Sequence, residues 1–300
     1  MFHVKNIPIF NSSKTIYSIK PFYPFFMKRI LVPTDFSEHA KYASKVAAQI
    51  ARKNNAEIYL LNLLDLPSHM NDAVNDGVNI PEVMLYLAKT KERLTELSNE
   101  SYFEGLTVHA EARLERAFDG IVTYSTEKNA DLIVMGSHGA SGFQEMFIGS
   151  NTEKVVRASD IPVIVIKNEM EDFNIEKFVF ASDFSSEIKK PFQKIVEFAN
   201  LFEAKLDLVM INTPNSFKTN NVAENIMHHF ASGFQLKNYS LHIYNDSNIE
   251  NGIINYANKV NADLIGICTH GRTGLSHFFN GSVSEDIVNH AIRPVITFRI

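Results

Sequence analysis

Four glycines and a serine between residues 136 and 150, GSHGASGFQEMFIGS, have the types and spacing to hold a phosphate. Gly136, Gly139, Gly142 and Gly149 let backbone approach a ligand closely, because glycine has no Cβ in the way. Ser150 and Glu153, ahead of Val155 and Val156, carry the Ser-x-x-Glu signature of a capped helix start. A helix start offers unpaired N–H groups and the positive end of a dipole, which suit an anion. The pattern is neither the Gly-Lys-Ser/Thr end of a P-loop nor G-x-G-x-x-G. It is G-x-x-G, nine residues, then G-S, with no lysine or arginine inside it; Lys154 and Arg157 lie in the next helix. A triphosphate here would be neutralised by backbone dipoles and a divalent ion such as Mg²⁺, itself bound through phosphate and water oxygens.

Each singled-out residue carries two readings. Asp35, in Pro33-Thr34-Asp35-Phe36-Ser37, is either the cap of the next helix, as Glu38 three residues on suggests, or an acceptor for a ligand amine. Ser150 caps a helix or touches phosphate. His138 and His270 occupy matching positions beside glycines, where they point to solvent or reach a phosphate. His228 and His229 are adjacent, so on a helix they do not face one metal site.

Most of the loop occurs twice. CTHGRTGLSHFFNGS at 268–282 places Gly271, Gly274, Gly281 and Ser282 132 positions after Gly139, Gly142, Gly149 and Ser150. NADLIVM at 129–135 returns as NADLIGI at 261–267. Near the start of the chain the offset is 148, from Thr34-Asp35-Phe36-Ser37 to Ser182-Asp183-Phe184-Ser185. The second copy is therefore 16 residues shorter between the two blocks. A repeat this long is a duplicated domain; solenoid units run to about 20–50 residues.

Gly136, Gly139, Gly149 and Ser150, with this recurrence, resemble the nucleotide loop of the universal stress protein family, and the resemblance covers residues 28–300. It implies an ATP site built from Pro33, Thr34, Asp35, Leu63, Met135, Gly136, His138, Gly139, Gly149, Ser150 and Asn151. Asp35 and the backbone at Leu63 would hold adenine, and Gly139, Gly149 and Ser150 the phosphates. A second, weaker site would use Asp183, Ile211, Gly271, Arg272, Gly281 and Ser282. It is expected to be weaker because Cys268 stands where the first loop has Gly136. Its side chain would intrude on the ligand, or strain the backbone if φ is positive there. Arg272, in place of Ala140, would offset part of this by pairing with phosphate.

The elements around these residues alternate. Short apolar runs at 30–32, 57–64, 107–112, 132–135 and 163–166 read as strands, and 40–51, 81–97, 120–129 and the stretch from Ser150 as helices. Residues 65–80 read as a loop. The second copy repeats the order with a shortened helical region near 222–236. This is the pattern of an α/β fold: two tandem Rossmann-like domains, each a five-stranded parallel sheet with helices on both faces. Ligands sit beyond the carboxyl ends of such strands, where Asp35 and the 136–150 loop converge. The expected division is an N-terminal extension or mis-assigned start at 1–26, a first domain at 27–168, an acidic linker NEMEDF at 168–173 and a second domain at 173–300. The strands at 163–166 and 295–300 follow prolines and suit an edge. In the resembling family such edges pair across a dimer interface, so the two domains of this chain are expected to pair with each other, or two copies to form a homodimer.

Composition bounds the rest. A 300-residue chain of 45% hydrophobic and 21% charged residues is that of a globular protein of about two domains. A net charge of −5 gives no electrostatic footprint for nucleic acid. No apolar run reaches the length of a membrane span. The single cysteine, Cys268, has no intrachain partner, in keeping with a reducing cytoplasm. The expected function is ATP binding by a nucleotide-dependent regulator or stress-response factor. The rivals are a slow nucleotide hydrolase of similar fold and a protein–protein interaction module without nucleotide.

Overall fold

The computed structural model describes residues 27–66, 81–139, 148–269 and 281–300. The apolar runs of the first half form β1 (Arg29–Pro33), β2 (Glu57–Leu63), β3 (Val108–Arg113), β4 (Leu132–Gly136) and β5 (Val163–Ile166). Those of the second form β6 (Lys177–Ala181), β7 (Lys205–Asn212), β8 (Tyr239–Asn245), β9 (Leu264–Thr269) and β10 (Val295–Arg299). Between them run α1 (Glu38–Asn54), α2 (Pro81–Ser98), α3 (Ala117–Glu127) and α4 (Ser150–Ala158), then α5 (Lys189–Leu201), α6 (Asn220–Ala231), α7 (Ile249–Lys259) and α8 (Gly281–His290). Residues 67–80 of the loop expected at 65–80, the centre of each glycine loop and residues 1–26 lie outside the described residues. Among the described residues no helix is long and apolar enough to cross a membrane.

The strand order is β3-β2-β1-β4-β5-β10-β9-β6-β7-β8, so the expected pair of five-stranded sheets is one ten-stranded sheet. All pairs within each half are parallel. The join is the single antiparallel pair, with Val165 opposite Val295 and Val163 opposite Thr297. β5 and β10 are each the edge of their own half, and pairing removes both rows of open backbone groups. The two halves of the chain thus meet through the strands expected to pair.

Alternate residues of the central strands feed two core layers, as the period-2 geometry of a strand requires. Ile30, Val32, Leu132, Val134, Ile164 and Ile166 join one layer; Leu31, Ile133, Met135, Val163 and Val165 join the other. Each layer continues into the second half, through Phe178, Phe180, Ile296 and Phe298 on one face and Val179, Ile265, Ile267 and Val295 on the other. The acidic linker is docked on α1: Glu169 pairs with Lys45, Gln49 holds the Phe173 amide at 2.6 Å, and Phe173 is buried.

Candidate functional site

β1, β2 and β4 end at the same side of the sheet, and a cleft of about 370 Å³ opens there. It is lined by Pro33, Thr34, Asp35, Leu63, Met135, Gly136, His138, Gly139, Gly149, Ser150 and Asn151, every first-half residue expected from the sequence. Ala40, Leu61, Ala117, Ile121 and Thr152 complete the wall and were not anticipated. Ala117 and Ile121 come from α3, whose periodicity shows an apolar face but not what that face covers.

The β1–α1 turn is locked by its own side chains. Phe36 sits at φ 65°, in the left-handed region. The Thr34 hydroxyl accepts from the Phe36 amide at 3.1 Å, and Asp35 Oδ1 accepts from the Ser37 amide at 3.1 Å. Ser37, not Asp35, caps α1, accepting from the Ala40 amide at 3.3 Å. The expected capping role of Asp35 therefore gives way to an Asx turn, which leaves the carboxylate exposed at the cleft. Asn62 braces the turn from below, its Nδ2 donating to the Thr34 carbonyl at 2.8 Å. Leu61 spends its carbonyl on the Thr34 amide at 2.8 Å. Leu63, two residues on, faces the same way but lies past the last β1 pair, Pro33 with Leu61. Its backbone N–H and C=O therefore point past the end of β1 toward the cleft.

The glycines serve different ends. A Cβ at Gly136 would sit 2.6 Å from the His39 backbone carbon, so this glycine lets α1 press against the end of β4. Gly105 is the one described glycine at positive φ and Cys268 is not at positive φ either, so the backbone strain considered for Cys268 does not arise and the constraint at Gly136 is steric. A Cβ at Gly139 would meet Asp35 Oδ2 at 2.5 Å; the glycine makes room for that carboxylate. A Cβ at Gly149 would find its nearest neighbour, the Ser137 carbonyl, at 3.6 Å, an ordinary contact. Among the described residues no protein atom demands glycine at 149, which leaves approach from the cleft as the constraint.

The capping box at Ser150 does not form. The helix cap is Gly149, with no side-chain cap bond, and Ser150 is the first residue of α4. A helix N-terminus with an uncommitted hydroxyl in its first turn thus lines the cleft. Thr152 ties that turn back to the loop, its hydroxyl donating to the Gly136 carbonyl at 3.0 Å, and the Gly149 amide donates to the Ser137 carbonyl at 2.7 Å. His138 does not simply face solvent: its Nδ1 is 3.0 Å from Ser137 Oγ and its ring lies 5.1 Å from that of His39. Arg157 is committed elsewhere, 3.0 Å from Glu285 of the second half. Among the described residues no cluster of three His, Cys, Asp or Glu side chains is arranged to hold a metal.

In the second half Asp183 and Ile211 take the corresponding places, and Asp183 Oδ1 accepts from the Ser185 amide at 3.0 Å in the same turn. Gly271 and Arg272 lie outside the described residues; Gly281 and Ser282 open α8. Cys268 is fully buried, and burial with the nearby Asp183 carboxylate pushes its thiol well above the ordinary range.

A sequence profile described as the Universal stress protein family matches residues 27–167 and 241–299. The chain belongs to that family. A universal stress protein of Synechocystis is 24% identical over 299 aligned residues, spanning 91% of this chain and all of that one. One from Methanocaldococcus jannaschii is 29% identical over 140 residues, 47% of this chain and 82% of its own. A solved universal stress protein from Archaeoglobus fulgidus superposes with a TM-score of 0.68 at 22% identity, covering 91% of this chain and 96% of that one, which is a likeness of fold.

Proposed function

We propose that the first-half cleft binds ATP and that the chain is a nucleotide-dependent regulator or stress-response factor of the cytoplasm. It acts through two domains, 27–168 and 173–300, of which the first carries the nucleotide. The observation that carries this reading is the pair Gly149–Ser150. A glycine that no described protein atom requires precedes a helix N-terminus whose first side chain caps nothing. Both features suit a phosphate approaching the α4 amides. The apolar wall of Leu61, Leu63, Ala117 and Ile121 suits a base. Asp35 and the outward backbone of Leu63 supply hydrogen-bonding groups for its edge. The residues fit a Mg²⁺-bound triphosphate, since no lysine or arginine lines this cleft among the described residues and the ion would supply the missing positive charge through phosphate and water oxygens.

Among the described residues the cleft wall offers a single carboxylate, Asp35, and that side chain is engaged in its turn. This favours binding over efficient hydrolysis, because phosphoryl transfer rests on positioned groups and charge stabilisation. Heat denaturation of the purified full-length protein, with chromatography of the supernatant, tests the reading. An adenine nucleotide near one equivalent per chain is expected. No release, together with no calorimetric response to ATP and Mg²⁺, overturns it.

A further inference from the structure

A second cleft, of about 560 Å³, opens where the two halves meet and touches the first at His138 and Gly139. Its first-half wall holds His39, Ser137, Lys167 and Asn168; its second-half wall is the C-terminal end of α8 at Asn289 and His290 with Ala291 and Ile292 after it. It is larger than the cleft assigned to ATP, so there is room for more than one phosphate. The Lys167 ammonium donates to the Asn289 carbonyl at 2.5 Å, which uses one of its three N–H groups. Burial holds its pKa down at about 8, so an arriving anion would draw the ammonium back to full charge.

The two walls differ in polarity. The first-half wall carries Lys167 and the paired His39 and His138 rings. On the α8 wall the Asn289 carbonyl already accepts from Lys167 and the Ile292 carbonyl from Asn168; the negative end of the helix dipole there repels phosphate and favours groups that carry donor hydrogens. His290 on that wall is 2.6 Å from Glu250, its Nδ1 facing the carboxylate. An anion therefore belongs on the first-half side, and a group with donors on the other.

We propose that the interdomain cleft receives a group attached beyond the third phosphate of the bound nucleotide: a further phosphate, alone or carrying a second nucleoside. The inference rests on the nucleotide reading, because His138 and Gly139 are walls of both clefts and a longer ligand in the first would have to cross there. A ligand seated there touches both halves at once, and its occupancy reports on how they are docked.

Calorimetric titration of the full-length, nucleotide-stripped protein with ATP, adenosine tetraphosphate and diadenosine tetraphosphate tests this. At least one longer ligand is expected to bind roughly tenfold tighter than ATP. Lys167→Met and, as a milder second variant, His39→Gln should bring that ratio close to one. A gain for adenosine tetraphosphate alone assigns the cleft to a terminal phosphate; a larger gain for the two-headed ligand assigns it to a second nucleoside. The preference should fade as pH rises through about 8, where Lys167 loses its charge. Among the described residues the other ionisable groups around it are His39, His138 and His290, the last backed by Glu250. Equal binding of all three ligands by the parent protein, or a preference that survives both variants, overturns the proposal while leaving ATP binding intact. Failure of all three to bind sinks the nucleotide reading itself, and this inference with it.

Discussion

The two halves share one chain trace and differ at the place where a ligand would sit. In the first half α1 is lined with small residues: Ala40, Ala43, Ala47, Ala48 and Ala51 are buried against the sheet. The helix backbone comes so close that only glycine fits at 136. In the second half α5 buries Phe192, Ile195 and Phe198, and Phe192 packs 5.5 Å from Phe180 and 4.9 Å from Phe230. Large rings hold a helix further from the strands. The α-helix also starts late, after a single 3-10 turn at Ser186–Ile188 where α1 already has helical His39 and Ala40. That arrangement leaves room for a side chain at 268, and Cys268 fills it, buried with Phe184 and Ile188. Ile249 stands where Ala117 lines the first cleft, so the second site loses volume on a second wall. Duplicated turns, Asp35 and Asp183 alike, do not make duplicated sites; the packing behind them decides which stays open.

Substitutions at five positions test how far the halves differ. The largest effect is expected from Gly136→Cys, which gives the first half the residue of the second without its wider helix spacing. Overpacking against the His39 backbone should cost about 1–3 kcal/mol, read as a lower urea midpoint at unchanged slope, and ATP binding should fall with it. A variant as stable as the parent would show that α1 yields easily, and that helix spacing does not separate the halves.

Gly149→Val should leave the urea midpoint close to the parent value, because its Cβ has room. Its ATP affinity should drop more than about tenfold, or ~1.4 kcal/mol, by calorimetry. Loss of stability without loss of binding would reverse the meaning given to this glycine. Asp35→Ala removes the Asx-turn acceptor and the polar group offered to the base, and a drop of about 1 kcal/mol in binding is expected. Equal weakening of ATP and inorganic tripolyphosphate would place that residue at the phosphates instead of the base.

The smallest effect on ATP binding at the first cleft is expected at Cys268. Cys268→Gly should cost about 1 kcal/mol or more through the space left behind, while opening the second-half cleft, most of all when combined with Ile249→Ala. Absence of any second binding event in the double variant would show that the second half is closed by more than these two side chains. The thiol also titrates in a predictable direction. Its pKa is raised in the folded protein, so the stability it contributes is present at neutral pH and lost as pH climbs past the ordinary thiol range. Cys268→Ala should lack that part of the alkaline slope in urea unfolding. Rapid alkylation of the native thiol at pH 8 would contradict its burial.

The alternation of strands and helices, the duplication and, through the family resemblance they carry, most of the residues gathered at the first cleft were legible in the amino-acid order. They are legible because glycines, turn residues and period-2 apolar runs act locally: each constrains its own backbone wherever the chain ends up. Asp35, Gly139 and Gly149 could be singled out from their neighbours, and Leu63 from the family resemblance. Other features were settled only by tertiary structure. It chose Ser37 over Asp35 and Gly149 over Ser150 as helix caps, since a cap depends on where the helix starts in space. Ala117 and Ile121 joined the cleft because α3 crosses the end of β2, a contact between residues more than fifty positions apart. β5 and β10 met to make one sheet, and with it the interdomain cleft around Lys167, although 130 positions separate Val165 from its partner Val295. Such long-range contacts leave no local pattern to read: they arise when edges and faces that are unsatisfied within each half find partners in the other.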